Sequence, residues 1–251
     1  MNQSFYTGAV GASQQMLRLN VQGHNIANLN TFGFKAERAR FSALMYQNML
    51  GAEQGEMDEL PYGVGTRLMM TSTDFAQGAP ADTGRPQDYM IEGEGFFALV
   101  DLNTGEISFT RNGAFSMAEF VRDSGEVDED ENPIMETVFM LSDEEGRFVL
   151  SESGGMIEVT DPLAKMPVGV FDYSNYDGML KITETRYLPV DKNGNLWQAT
   201  GKVVQGVLEM SNADLAEEMT KVIEAQRAYG LALKMVQTSD EIETTINSLH
   251  S

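Results

Sequence analysis

Hydrophobic positions fall into three regimes along the chain. Between residues 4 and 29, apolar and small residues recur at alternating intervals of three and four: Ala9, Ala12, Met16, Leu19, Gly23 and Ile26. That spacing is a heptad stripe and predicts a helix over 4–29. The rhythm returns over 212–249, where Leu215, Met219, Val222, Gln226, Tyr229, Leu233 and Val236 share one line. Ile242, Ile246 and Leu249 continue it after a small phase shift. Roughly five heptads is long for a globular helix and ordinary for a coiled coil. Ser211 or Asn212 is placed to cap this helix, and Asp214, Glu217 and Glu218 lie where the helix dipole favours acids.

The middle of the chain has a different period. "FFALVDLNTGEISFTRNGAFSM" (96–117) predicts two or three short strands, with a turn at "LNTG" and a type I′ hairpin at Asn112-Gly113. Further strands are expected at 138–141, 147–150, 157–159, 168–173, 185–190 and 202–208, with turns at Asp177-Gly178 and Asn193-Gly194. Residues from about 36 to 75 have no clear period and contain the linker-like "AEQGEMDELPYGVG". The expected fold is therefore α+β: paired N- and C-terminal helices forming a coiled-coil-like inner domain, with a mainly β central domain. The expected segments are 1–34 (first helix), 35–75 (linker or wall segment), 76–206 (β domain) and 207–251 (second helix).

Polar positions sharpen this picture. Arg18 is the single formal charge in residues 1–34; the other polar residues are mostly amides and hydroxyls. A surface helix normally carries Lys and Glu on its wet face. Gly8, Gly11 and Gly23 would each cost about 1 kcal/mol in a helix interior. Two readings follow: a poor helix packed on its own domain, or a helix surrounded by other helices.

The first helix ends in "HNIANLNTFGFKAER" (24–38). Asn25 and Asn28 share a face at i, i+3, and buried amides at a helical interface fix register. The alternative is a plain C-terminal cap with solvent-facing Asn. Gly33 is expected at positive φ, redirecting Phe32 and Phe34 into the wall segment, so a β-branched residue there should cost about 1–2 kcal/mol. On that reading the β core is indifferent to position 33.

Composition sets the outer bounds. A chain of 251 residues with 42% hydrophobic content can bury a real core, as one large domain or two modest ones. The absence of Cys excludes disulfides, Cys-ligated zinc and a Cys nucleophile. A net charge of −21 argues against a nucleic-acid partner. Residues 119–152 hold twelve acids and two bases, whereas residues 1–50 hold four bases and one acid. No apolar run approaches membrane-spanning length, and the first twenty residues lack the basic and apolar regions of a secretory signal peptide. Export would need a route that cleaves no such signal.

Candidate chemistry is sparse. His24 and His250 stand near opposite ends of the sequence, which disfavours a His-based metal site or triad. "DKNGNLW" (191–197) starts like a calcium loop, but Leu196 and Lys202 occupy the positions that need Gly and Glu. "DSGEVDEDEN" (123–132) is a charge run without ligand spacing, and "GVGT" (63–66) lacks the Lys of a phosphate loop. Glu92 and Glu94 straddle Gly93 and read as a strand-end turn rather than an acid pair. No catalytic residues, cofactor or metal are expected.

Three stretches carry a resemblance: "NIANLNTFGFKAERARFSALMYQNM", "MIEGEGFFALVD" with "FTRNGAF", and "GVLEMSNADLAEEMTKVIEAQRAYGLALKMVQTSDEI". Together they resemble the bacterial flagellar rod and hook axial proteins, most closely the distal-rod type, over well more than half of the chain. The acidic, Met-rich stretch 119–152 departs from that pattern. The resemblance implies a structural, non-enzymatic axial subunit of the flagellar basal body, exported by the flagellar export apparatus. Its terminal helices would pair in an inner tube that transmits torque and walls the export channel. The implied partners are copies of itself, other rod and hook axial proteins, and the bushing or peptidoglycan around the rod. The implied assembly interface comprises Ala9, Ala12, Met16, Leu19, Asn25, Ile26, Asn28 and Gly33 at one end. At the other end it comprises Leu215, Met219, Val222, Gln226, Tyr229, Leu233 and Val236. Competing readings are a cell-wall glycan hydrolase anchored by its helices, a hook-type axial protein, and a soluble coiled-coil adaptor.

Overall fold

The computed structural model describes residues 3–43, 46–49, 60–63, 66–127 and 133–249. Most of "AEQGEMDELPYGVG", residues 64–65 of "GVGT", and 128–132 of the acidic run lie outside the described residues. The helices are α1 (Gln3–Ala27) and α2 (Leu215–Leu249). The strands up to the first sheet core are β1 (Glu37–Ala43), β2 (Tyr46–Met49), β3 (Leu60–Gly63), β4 (Thr66–Thr73), β5 (Pro80–Asp82), β6 (Tyr89–Glu92), β7 (Phe96–Val100) and β8 (Ile107–Thr110). They are followed by β9 (Ser116–Val127), β10 (Pro133–Ser142), β11 (Phe148–Val149), β12 (Val170–Tyr173), β13 (Leu180–Lys181), β14 (Arg186–Leu188), β15 (Leu196–Gln198), β16 (Lys202–Gln205) and β17 (Val207–Glu209). The fold is α+β, with a mainly β body and two terminal helices. The chain forms two compact units: Met1–Ala27, Glu37–Asp74 and Ala213–Ser251 in one, Asn28–Ala36 and Phe75–Asn212 in the other.

In the first unit α1 lies antiparallel along α2. The hydroxyls of Ser4 and Ser239 are 2.8 Å apart, and Arg18 Nη2 meets Glu224 Oε2 at 3.3 Å. A Cβ at Gly8 would sit 3.0 Å from Val236 and 3.3 Å from the Ala232 carbonyl. The seam is thus built from small residues that let the backbones approach, which is what the costly helical glycine at position 8 is for. Continuing this register, Ala27 falls level with Ala216, and Gln3 with Asp240. The last nine residues of α2 therefore run on past α1 by about 14 Å at 1.5 Å per residue. Ile242, Ile246 and Leu249 are exposed on that extension, Leu249 at 80%. The Asp214 carboxylate caps α2, accepting from the Ala216 N–H at 2.7 Å, so neither Ser211 nor Asn212 does.

The same unit contains strands where a linker was expected. β1 pairs with β4 in an antiparallel ribbon with a bulge at Arg40/Phe41, and β2 pairs with β3. Backbone pairing holds these strands, and their sequences hardly alternate in hydropathy, which hid them from a period-based reading. Gln14 Oε1 ties α1 to the ribbon by accepting from the Leu68 N–H at 2.5 Å.

In the second unit, the largest sheet among the described residues has nine strands in the order β13-β14-β8-β7-β11-β10-β9, with β12 joining β7 and β15 joining β12. β7 explains the run "FFALV". Phe97 and Leu99 enter a core with Tyr89, Phe115, Leu141 and Val149; Phe96 and Ala98 enter a second with Phe109, Tyr173 and Tyr187. A strand buried on both faces reads as a continuous apolar run. Residues 157–159 make only isolated bridges, and 202–208 is two strands broken at Gly206, whose φ is +78°. "LNTG" turns as expected between β7 and β8, with Gly105 at φ +70°. Asn112-Gly113 does not make a hairpin: β8 pairs with β7 and β14, and β9 pairs with β10. Gly113 is needed for a different reason, because a Cβ there would lie 1.8 Å from the Tyr89 carbonyl oxygen.

Candidate assembly site

The two ends of the chain contribute helices with distinct inner and outer lines. On α2 the inward positions are Glu218, Ala225 and Ser239, all buried, with Ala232 half-buried between them. They recur every seven residues and are small apart from Glu218. Lys221 closes the seam's broad end, meeting Glu217 at 2.8 Å and Glu218 at 2.7 Å. Burial pushes its ammonium down, but those two carboxylates outweigh burial and hold its pKa above that of a free lysine. Of the expected interface residues, Ala12, Asn25 and Gly33 are buried; Leu19, Ile26, Asn28, Val222, Tyr229 and Val236 are half-buried. Ala9, Met16, Leu215, Met219, Gln226 and Leu233 are exposed. Met16, Leu215, Met219 and Leu233 of the stripes thus stand on the outer lines, and the buried seam positions of α2 are mostly smaller residues.

The amides that end α1 have defined tasks. Asn25 is 1% exposed and clamps one residue of β1: its Nδ2 donates to the Glu37 carbonyl at 2.8 Å and its Oδ1 accepts from the Glu37 N–H at 2.9 Å. Both of its polar groups are consumed within the chain. Replacing Asn25 with alanine should strand that part-buried backbone pair and cost about 2 kcal/mol. Urea unfolding of the full chain measures this, and an unchanged midpoint would show that the clamp contributes nothing. Asn28 closes the turn that follows, its Oδ1 accepting from Thr31 Oγ1 at 3.2 Å.

In the second unit, residues 28–36 are docked onto the β body. Gly33 has φ +69°, the left-handed conformation expected, and its N–H donates to the Glu209 carbonyl at 2.7 Å. A Cβ at this position would lie 2.3 Å from the Asn112 nitrogen and 2.6 Å from the Arg111 carbonyl carbon. Phe34 is fully buried, with Lys181 Nζ 4.6 Å above its ring. The segment therefore does not simply turn toward a wall linker; it is part of the β unit's packing. This corrects the expectation that the β core is indifferent to position 33.

A buried ionic cluster completes that docking. Lys35 and Glu209 are both 0% exposed in their side chains, and their charged groups meet at 2.5 Å. Glu209 Oε1 also accepts from the Gly78 N–H at 2.8 Å, and Oε2 from Arg111 Nη1 at 3.3 Å. Arg111 spends its other terminal nitrogen on the Gly93 carbonyl at 2.9 Å. Asn212 adds a neutral tie, accepting from the Ala36 N–H at 2.7 Å and donating to the Ala76 carbonyl at 3.0 Å. Segments 33–36, 76–78, 111 and 209–212 are pinned at one locus of the second unit. The local sequence gave no signal for it, since 174 positions separate Lys35 from Glu209.

Among the described residues, no group of three or more His, Asp or Glu is placed to hold a metal ion, and no helix is long and apolar enough to cross a membrane. Glu92 and Glu94 are both exposed, on either side of Gly93 at φ +108°. Asn193 is buried and tightens its own turn, accepting from the Val190 N–H at 2.6 Å.

Both helical ends match known families. Residues 5–35 match the family described as flagella basal body rod protein, and residues 204–249 the family described as flagellar basal body rod FlgEFG protein C-terminal. The flagellar basal-body rod protein FlgG of Buchnera aphidicola subsp. Schizaphis graminum is 30% identical, over 98% of this chain and 99% of its own. The FlgG protein of Borreliella burgdorferi is 30% identical over 99% of both chains. That of Bacillus subtilis is 31% identical over 96% of this chain and 97% of its own. The matched ends hold the helical seam, the Asn25 clamp, the Gly33 turn and the start of α2, so likeness and geometry coincide. The chain belongs to the flagellar basal-body rod protein family.

Proposed function

We propose that this protein is an axial subunit of the distal rod, a structural element with no catalytic step, polymerising through its terminal helices. The observation that carries this reading is the outward placement of large apolar residues on the helical pair. Met16, Leu215, Met219, Ile223 and Leu231 are all exposed. A water-soluble monomer has no use for such lines, whereas neighbouring copies would bury them. The expected interface residues that remain exposed or half-buried are the ones such neighbours would cover, in coiled-coil-like packing. Full-length likeness to rod proteins supports the same reading. Copies of itself and other axial proteins are then its partners. Passage through the flagellar export apparatus, torque transmission, a channel wall and contact with a bushing or peptidoglycan follow from membership of an exported rod.

Deletion of the gene in its source bacterium should leave basal bodies truncated below the hook, seen by electron microscopy, and cells that do not swim. Complementation by the wild-type gene restores both. Full-length rods and normal motility in the deletion strain would overturn the reading.

A further inference from the structure

Each unit exposes a β-ribbon with an apolar face and charges of one dominant sign, and the two signs are opposite. In the second unit, β9 and β10 form a long antiparallel hairpin, and β9 is the edge of its sheet among the described residues. One face packs inward: Ala118 and Phe120 lie with Val138 and Met140 against Phe148. The other face carries Met117, Val121, Met135 and Phe139, all exposed, Val121 at 56% and Met135 at 62%. Glu119 stands among them, paired across the strands with Phe139. Residues 116–142 contain eight acids and one base. A long edge strand with an open apolar face is normally covered.

In the first unit, the β1–β4 ribbon exposes Phe41, Met69 and Met70, Met69 at 66%. Its strands carry three Arg and one Glu. Arg40 and Met70 are a cross-strand pair, so charge and apolar surface share a face there as they do at Glu119 and Phe139. Arg40, Arg67 and Glu119 are exposed and have no ion-pair partner among the described residues.

We infer that the β1–β4 ribbon of one copy docks on the outer face of the β9–β10 hairpin of a second copy. This rests on the axial-subunit reading and gives it a second contact, separate from the helices. Two copies of a chain with net charge −21 repel one another on average, so a contact between them needs its rare basic patch aimed at an acidic one. Such a contact joins two different surfaces. It therefore repeats head to tail, and builds a filament wherever its rotation does not close a ring. The apolar side chains supply the burial and the unpaired charges set the register.

The chain contains no cysteine, which makes the contact directly readable. Met70→Cys and Val121→Cys are placed together in the single genomic copy, basal bodies are purified and oxidised, and the protein is run on a non-reducing gel. A ladder of dimers and higher multiples is expected, with no ladder from either single substitution. Absence of the ladder from basal bodies that contain the variant overturns the inference. A charge exchange provides an independent arm. Arg40→Glu should lower the protein's amount in basal bodies about tenfold without changing the monomer's melting temperature, and Glu119→Arg in the same chain should restore it to within about twofold. Failure of the second substitution to restore incorporation likewise overturns it. Absence of the wild-type protein from basal bodies would instead remove the functional reading underneath.

Discussion

Gly33→Val is expected to lower the melting temperature of the full chain by about 10 °C and to abolish motility. The left-handed backbone at Gly33 penalises a β-branched residue by about 1–2 kcal/mol. The larger effect is steric. The added Cβ would sit 2.3 Å from the Asn112 nitrogen, a backbone atom in the β unit that cannot swing aside as a side-chain end would. Residues 28–36 would lift away, breaking the 2.7 Å bond from Gly33 to the Glu209 carbonyl and uncovering Phe34. Re-exposing a buried Phe costs about 2 kcal/mol. The sum is about 4 kcal/mol, and each kcal/mol moves the melting temperature of a chain of this size by about 2–4 °C. The two readouts are a thermal melt of the purified monomer and the amount of variant in purified basal bodies. A melting temperature within about 2 °C of wild type would show that the segment is not part of the β unit's stability.

Glu209→Gln should be comparably severe, for an electrostatic reason. The substitution keeps the shape and removes the carboxylate that faces Lys35 and Arg111, whose side chains are 0% and 4% exposed. Removing one partner of a buried pair costs about 3–5 kcal/mol, because the remaining charges are left in a medium that cannot solvate them. That is a large share of the roughly 5–15 kcal/mol that holds a typical domain together. Adding Lys35→Met should recover a good part of the loss, since one stranded charge disappears with it. Urea unfolding followed by the fluorescence of Trp197, the one tryptophan of the chain and a residue of β15, reports on the same unit. If the double variant is as unstable as the sum of the two single variants, the charges are not coupled and the cluster is not the latch described.

Much of this architecture was legible in the sequence, and the limits of legibility have physical causes. The helices announced themselves because a heptad rhythm survives over 25 and 35 residues. Their mutual seam was harder to see. Ala225, Ala232 and Ser239 carry little hydrophobic signal, whereas the strongly apolar Leu215, Met219 and Leu233 stand exposed. The Gly33 turn was readable from residue type, because only glycine adopts that conformation cheaply. Its close approach to Asn112 was not, since 79 positions of chain lie between them. Asn112-Gly113 misled for the opposite reason: the dipeptide is the usual hairpin signal, and here its glycine is selected by the Tyr89 carbonyl lying against it. β1 and β4 carry no period-2 signal because a two-stranded ribbon is held by pairing rather than by alternation. The ionic cluster of Lys35, Arg111 and Glu209 is wholly tertiary.

The unequal lengths of α1 and α2 give the helical pair a direction. At one end the two helices finish level, Ala27 beside Ala216. At the other, a tongue of single helix projects past α1 by about 14 Å at 1.5 Å per residue, with Ile242, Ile246 and Leu249 exposed on it. In an assembly, an incoming copy would meet a finished surface at one end and an unfinished one at the other, so the rate of addition would differ between the two ends although the free energy per added copy is the same. The helical pair is polar along its axis, and nine residues of length mismatch mark which end is which. Trimming α2 back to Asp240 would leave a pair with two blunt ends and would remove the exposed Ile242, Ile246 and Leu249.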